Sequence, residues 1–353
     1  MNIAVIDLFC GVGGLTCGLE KAGLHVVAGY DVDKECEYPY SYNNKAVFIN
    51  KNIEEITGRE IKKLLRGYQI KVLVGCAPCQ PFSRHQKDKK NRKKHKDWSL
   101  LYQYSRIISE VRPHIVSMEN VPELKHEKVF QDFVDNLVAL GYNVEYNVIN
   151  AANYGVPQNR RRLILLASRI KKIHLIRPNF SKPKSVKDAI GRLPNMEAGK
   201  NNKKDRLHTS PHLSQLNLQR IRHSSQGGTW REWPEELRLT CHKKNTGRTY
   251  SSVYGRMMWD QPAPTITTQF TCYGTGRFGH PEQDRAITLR EGALLQSFPL
   301  NYVFIKKEEK INFKKISRYI GNAVPPRLGE IIGLSIQEHL RKRKYFRRIV
   351  NAG

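Results

Sequence analysis

The stretch LVGCAPCQPFS (Leu73–Ser83) ends an apolar run with Cys79 held between Pro78 and Gln80, and Pro81 follows. A thiol in a proline-stiffened loop just past a buried strand is a candidate nucleophile. Its thiolate needs nearby cations or a helix N-terminus, and Arg84–Lys96, dense in Lys and Arg, comes next. Read alone, Arg84–Lys96 is also an ordinary solvated loop, and a cysteine in a turn is often structural. A second candidate is Glu119 in SMENVPEL (Ser117–Leu124). An acid at the end of an apolar strand is costly to bury unless it is paired or used. In an enclosed site a glutamate can hold and donate a proton; an N-cap or an ion-paired acid fits the stretch equally. The third is YGVPQNRRRL (Tyr154–Leu163), where three arginines precede a strand. Strand alternation places Arg160 and Arg162 on one face, in reach of a phosphate or a base edge. A plain basic strand entry reads the same way.

DLFCGVGG (Asp7–Gly14) follows one apolar run and opens a helical pattern. Glycines there let a backbone approach a ligand, and a helix N-terminus favours negative charge. Thr16 stands where a nicotinamide-binding fingerprint wants its third glycine, so that cofactor does not fit. Asp31 closes the second strand, where an acid can hold ribose hydroxyls. A tight strand–helix turn without a ligand remains the alternative.

These residues need a scaffold that brings strand ends together. Apolar runs at Ile3–Leu8, His25–Asp31, Val72–Gly75, Ile115–Met118 and Leu163–Ala167 read as strands. Helical spacing at Leu15–Ala22, Leu100–Val111 and Val129–Leu140 fits between them, with Gly23 as a C-cap. Strand and helix in alternation predict an α/β fold with a doubly wound, mainly parallel sheet. From about Lys171 the chain turns rich in Pro, Asn and Lys, then in Trp, Thr, Gly and Arg without periodicity. The expected organisation is a first domain at 1–170, a smaller irregular domain at 171–285, and C-terminal helices at 286–353 completing the first.

With 353 residues the chain can bury a sizeable core. Its net charge of +28 points to a polyanionic partner, above all nucleic acid. No apolar run is long enough to cross a bilayer and the opening residues carry no basic leader, so no membrane association is expected. Seven cysteines in irregular spacing do not make a disulfide framework, and a reducing compartment is expected. Cys76–Cys79 is a Cys-x-x-Cys pair without the second pair that a structural zinc site usually has; a redox pair is the alternative reading.

Taken together and in order, these segments resemble the cytosine-5 DNA methyltransferase family over nearly the whole chain. DLFCGVGG resembles the family's first motif, GCAPCQPFS its Pro-Cys-Gln segment, MENV its Glu-Asn-Val motif and QNRRR its Gln-x-Arg-x-Arg motif. LREGALLQSFP (Leu289–Pro299) and GNAVPP (Gly321–Pro326) are similar to the last two. The resemblance implies a Rossmann-like, S-adenosylmethionine-dependent methyltransferase fold whose irregular domain recognises the target. It implies Cys79 as the nucleophile at cytosine carbon 6, Glu119 on N3 and the exocyclic amine, Arg162 on O2, and Arg160 steadying the active-site loop or a phosphate. It implies a pocket for S-adenosylmethionine, leaving as S-adenosylhomocysteine, from Asp7, Phe9, Gly11, Gly13, Gly14, Asp31, Asn52, Ile53, Pro78, Leu100 and Asn322. No metal is expected.

Five residues depart from the family pattern. Cys76-Ala77 replaces a Gly-Phe-Pro type of lead, and Val32 stands where an aromatic often stacks on adenine. Asp31 replaces the commoner glutamate, and Asn52 the commoner aspartate. For DNA the resemblance implies contacts from Ser83, Arg84, Gln158, Thr265 and Ile266, with Arg231, Arg248, Arg256 and Arg277 as candidate readers of bases or phosphates. The target base must be flipped out of the duplex, with Arg84–Lys96 as the candidate closing loop. The implied role is sequence-specific DNA (cytosine-5-)-methylation in the prokaryotic cytoplasm, by a monomer acting on double-stranded DNA. It would protect host DNA beside a cognate restriction endonuclease, without a stable complex. An RNA methyltransferase and a silent DNA-binding regulator are the rivals; Cys79 and Glu119 argue against the second.

Overall fold

The computed structural model describes residues 2–78, 99–178, 182–244 and 247–350, without the side chains of Arg248 and 342–350. Cys79, Ser83, Arg84 and the rest of the basic stretch therefore lie outside the described residues, as does the side chain of Arg248. Two compact units form. The first comprises Met1–Asn150, Arg161–Asn179 and Ala323–Gly353; the second comprises Ala151–Arg160 and Phe180–Asn322.

The first unit is built on strands β1 (Ile3–Leu8), β2 (His25–Asp31), β3 (Val47–Asn50), β4 (Ile70–Gly75), β5 (Ile115–Asn120), β6 (Asn143–Asn150) and β7 (Arg161–Ser168). They form one sheet in the order β3-β2-β1-β4-β5-β7-β6. The first five run parallel, while β7 lies antiparallel between β5 and β6. Helices α1 (Gly14–Lys21), α2 (Glu37–Asn43), α3 (Gly58–Leu64), α4 (Leu100–Val111) and α5 (Lys128–Ala139) connect them. The α/β, mainly parallel sheet expected from the sequence is thus observed.

Alternation along the strands makes two cores. Ala4, Ile6 and Leu8 of β1, with Leu73, Val116 and Met118, pack against Tyr104, Ile107 and Ile108 of α4 and Phe130 and Phe133 of α5. Val5, Val72, Val74, Ile115 and Ile164 face the other way, onto Leu15 and Leu19 of α1 and onto Leu328, Ile332 and Ile336 near the C-terminus. Those last three belong to a long final helix that packs tightly on α1. A Cβ added at Gly18 would lie 2.1 Å from the Pro326 carbonyl oxygen, so only glycine allows that approach.

The second unit is irregular. It carries the short helices α6 (Val186–Ile190), α7 (Gln215–Arg222), α8 (Thr240–Lys243), α9 (Leu289–Leu295) and α10 (Phe313–Asn322), before the final helix α11 (Pro326–Val350) begins in the first unit. Its centre is aromatic: Trp230, Trp233 and Tyr273 pack with Ile221 and Leu237. The sequence boundary at 286 assigns α9 and α10 to the first domain, but both pack within the second unit. The reason is local. Thr288 and Glu291 make a capping box at the start of α9, and Glu291 is held by a bidentate ion pair from the buried Arg285 at 2.7 Å. Arg290 of α9 pairs with Asp205 at 2.6 Å.

Candidate active site

The C-terminal edge of the parallel strands gathers the candidate residues of the first unit. Glu119 is the penultimate residue of β5 and is 3% exposed. It pairs with Ile164 of β7 in antiparallel register, which puts Arg162, two residues earlier on the same face, diagonal to it. Arg162 Nε lies 2.9 Å from Glu119 Oε1, an ion pair whose angle is not that of a hydrogen bond. The other oxygen, Oε2, accepts from the Cys76 thiol at 2.8 Å. Among the described residues, one cation and one weak donor thus keep a carboxylate in a nearly dry place.

The chain leading to Cys79 is tied down on both sides. The Cys76 N–H donates to the Leu8 carbonyl at 3.3 Å. The Asn120 side-chain amide donates to the Ala77 carbonyl at 3.0 Å. Tyr104 of α4 donates to the carbonyls of Leu73 and Ser117 at 3.3 and 2.9 Å, fastening β4 to β5 beneath them. Pro78, half-buried, is the last described residue before Cys79.

The glycine turn after β1 has an unusual backbone. Phe9 has φ 61°, a left-handed conformation that costs an ordinary residue about 1–3 kcal/mol. Gly11 and Gly13 also have positive φ, and Gly14 begins α1. At Gly13 a side chain would strike Asn44 at 2.3 Å, whereas at Gly11 no described heavy atom lies within 4 Å of an added Cβ. The turn is therefore closed inward and open outward at Gly11, as a ligand's approach requires. Asp31 holds its shape: Oδ2 accepts from Gly11 N–H and Oδ1 from Asp33 N–H, each at 2.8 Å. Burial pushes the Asp31 carboxyl upward, against those hydrogen bonds.

Around the turn, Phe9 stands edge-on to Tyr104 with ring centroids 6.4 Å apart. Leu100 is half-buried at the start of α4, Ile53 is buried, and Val32 is exposed. Asn52 caps the short turn Ile53–Glu55 by accepting from Glu54 N–H at 3.2 Å, as an aspartate would. These residues suit a cationic, adenosine-bearing methyl donor: an acid, apolar walls and an open glycine. Asn322, at the end of α10, is exposed in the second unit.

Asp7 does something other than touch a ligand. It is 1% exposed, Oδ2 accepts from Thr16 Oγ1 at 2.7 Å, and among the described residues Oδ1 has no hydrogen-bond partner. Burial pushes its carboxyl from 3.8 up to about 7, which the Thr16 bond offsets only partly. Thr16 occupies the place of the missing third glycine, and its hydroxyl to Asp7 is the reason a side chain is useful there.

In the second unit several expectations need correction. Alternation does not place Arg160, because β7 begins at Arg161. Arg160 is buried and donates to the carbonyls of Ile266 and Gly321, each at 3.1 Å. Gln158 is buried, bonded to the Leu295 carbonyl and to Gln296, and it accepts from Ile266 N–H at 2.8 Å. Ile266 is buried too, and Thr265 spends its hydroxyl on the Asn159 carbonyl. These four residues pin segments of the unit together and do not present base-reading groups. Arg256 is 4% exposed and donates to the carbonyls of Ile221, Ser224, His280 and Gln283 and to Asp284. It is a brace, not a reader. Arg277 is half-buried and bonded to the Gly227 carbonyl. Arg231, beside the Trp230 ring, is exposed.

The sequence reading assigned no task to Asn120 or Tyr104, and to Cys76 only the alternative of a redox pair with Cys79. Asn120 was legible as the residue after the acid; Tyr104 carried no signal beyond helical spacing. Among the described residues no group of His, Cys, Asp or Glu is arranged to hold a metal, and no helix is long and apolar enough to cross a membrane.

The family model for C-5 cytosine-specific DNA methylases matches residues 3–338. The Type II methylase M.HgiDII of Herpetosiphon aurantiacus is 51% identical over 96% of this chain and 96% of its own. The Type II methyltransferase M1.BsuMI of Bacillus subtilis is 32% identical, over 94% of this chain and 80% of its own. Among solved structures, a putative prophage-encoded DNA modification methyltransferase from E. coli superposes with a TM-score of 0.73 at 22% identity, covering 96% of this chain and 99% of its own. A methyltransferase of Entamoeba histolytica does so at 0.65 and 18%, covering 96% and 99%. The last two likenesses concern the fold.

Proposed function

The chain belongs to the C-5 cytosine-specific DNA methylase family and is a DNA (cytosine-5-)-methyltransferase, and from that premise we propose that it works through Cys79, Glu119 and Arg162 on a flipped-out cytosine. Cytosine carbon 5 is too weak a nucleophile to take a methyl group unaided. Addition of the Cys79 thiolate at carbon 6 makes the ring enamine-like, a covalent route. Glu119 meets the exocyclic amine and shares a proton with N3, and that proton offsets the charge that builds on the ring. Arg162, already beside Glu119, offers its guanidinium to O2. Loss of the carbon 5 proton after methylation then releases Cys79.

S-adenosylmethionine, when bound, supplies an electrophilic methyl group. Asp31 and the glycine turn would hold it, with Phe9, Ile53 and Leu100 as apolar walls. The observation that carries the catalytic assignment is the buried Glu119, flanked by Arg162 and by the tethered lead to Cys79.

Unit two is the target-recognition part in this reading, and of the candidate arginines Arg231, Arg256 and Arg277 it is Arg231 that is exposed. The net charge of +28 gives general affinity through counterion release. The names of the Type II relatives support a restriction-modification role; the reading further proposes a monomer in the prokaryotic cytoplasm, paired functionally with a nuclease. The test is transfer of label from S-adenosylmethionine to mixed-sequence duplex DNA, followed by sequencing for 5-methylcytosine. Methylation at one short motif, lost in Cys79→Ser, is expected. Undiminished methylation by Cys79→Ser, or transfer to RNA alone, would overturn the reading.

A further inference from the structure

We infer that Cys76 is a positioning residue for Glu119, a role that rests on the catalytic reading of that glutamate. The chain departs from its family's pattern at this position, and the fold shows what the thiol meets. Gly75 of β4 pairs with Met118 of β5, so the next residues, Cys76 and Glu119, come side by side. Alternation along β4 puts Cys76 on the face of Val72 and Val74, and along β5 it puts Glu119 on the face of Ile115. Both side chains therefore leave the sheet on the same side. The thiol reaches Glu119 Oε2 at 2.8 Å while Arg162 stands at Oε1.

The backbone under the thiol is fixed by the Leu8 carbonyl and by Asn120. Glu119 has several rotatable bonds, and among the described residues one cation at one oxygen fixes that oxygen but not the rotation of the carboxylate about it. A donor at the second oxygen removes that freedom before the base arrives. A thiol is a weak donor, and a carboxylate oxygen has a further lone pair for an incoming N–H. Cys76 can thus orient Oε2 without blocking it.

The test uses the full chain and single-turnover methylation of mixed-sequence duplex DNA. Cys76→Ala is expected to slow methyl transfer about 5- to 30-fold, equal to about 1–2 kcal/mol at about 1.4 kcal/mol per factor of ten. Affinities for DNA and S-adenosylmethionine should not change. Cys76→Ser, which restores a donor of similar reach, should recover most of the rate. Adding Cys76→Ala to Glu119→Gln should leave the affinities for DNA and S-adenosylmethionine as they are in Glu119→Gln alone. A wild-type rate in Cys76→Ala, with Glu119→Gln inactive, overturns the positioning role and leaves the catalytic reading standing. Full activity in Glu119→Gln sinks both. Should Cys76→Ala fail to fold, the serine variant decides: a rate near wild type supports the inference, and a loss as large as that of Glu119→Gln overturns it.

Discussion

The Glu119–Arg162 pair allows a prediction about folding that is independent of catalysis. Glu119 is 3% exposed and the Arg162 side chain 14% exposed, at 2.9 Å separation. Water screens such a pair poorly, so the two charges depend on each other. Arg162→Ala leaves a carboxylate in a dry place with, among the described residues, the Cys76 thiol as its remaining polar side-chain partner. Removing one member of a buried pair costs about 3–5 kcal/mol, because the remaining charge is uncompensated. Against a total stability of about 5–15 kcal/mol that is a large fraction.

Adding Glu119→Gln to Arg162→Ala removes the stranded charge while keeping nearly the same shape. The double variant should therefore regain most of the loss and sit within about 1–2 kcal/mol of the parent. Urea denaturation of the parent, both single variants and the double variant closes the cycle. The coupling should exceed about 2 kcal/mol, with the double variant more stable than Arg162→Ala. A double variant as unstable as, or less stable than, Arg162→Ala would refute the claim that Arg162 neutralises Glu119. The loss would then come from packing of the arginine stem.

Two further predictions concern Asp7 and the arginines of the second unit. Burial raises the Asp7 carboxyl to about 7 from 3.8, so the folded chain holds a proton that the unfolded chain releases; the stability this gives is complete below about pH 4 and is lost as pH rises through 7, by at most about 4 kcal/mol. Asp7→Asn cannot ionise, so the difference in stability between variant and parent should grow in the variant's favour from pH 4 to pH 8, and a difference independent of pH refutes this. Arg231→Ala should lower the melting temperature far less than Arg256→Ala and lower the salt dependence of DNA binding by about one phosphate contact. Arg256→Ala, which strands four carbonyls and Asp284, should destabilise by at least about 3 kcal/mol in denaturant melts; an unchanged melt for Arg256→Ala, or a fall as large for Arg231→Ala, contradicts the division into brace and reader.

Much of the first unit was legible because both faces of its sheet are buried. Such strands read as continuous apolar runs, and Ile3–Leu8 and His25–Asp31 match β1 and β2 residue for residue. β3 and β6 were missed because they are the edge strands: Val47–Asn50 and Asn143–Asn150 are half-exposed and polar enough to read as loops. In the second unit periodicity fails, since short helices and turns are held by side chains bonding to carbonyls. Arginine type alone cannot separate a brace from a reader there. Arg256 and Arg231 look alike in the sequence and differ in burial, which depends on partners as remote as His280 and Gln283.

The order of the motifs along the chain follows from one reversal in the sheet. In parallel strands the C-terminal ends share an edge, and ligands of open α/β sheets sit there. That is why the glycine turn follows β1, Asp31 closes β2, the lead to Cys79 follows β4, and Glu119 comes near the end of β5. Arg162 breaks the rule, for it stands second in β7. Yet β7 runs antiparallel to β5, so its start lies where β5 ends. A guanidinium can therefore meet Glu119 only from residues at the entrance of β7, not from its exit. The same geometry explains why the arginine motif precedes its strand while the acidic motif closes one. Had β7 been parallel, Arg162 would lie at the opposite edge, the length of a strand away from the carboxylate it now neutralises.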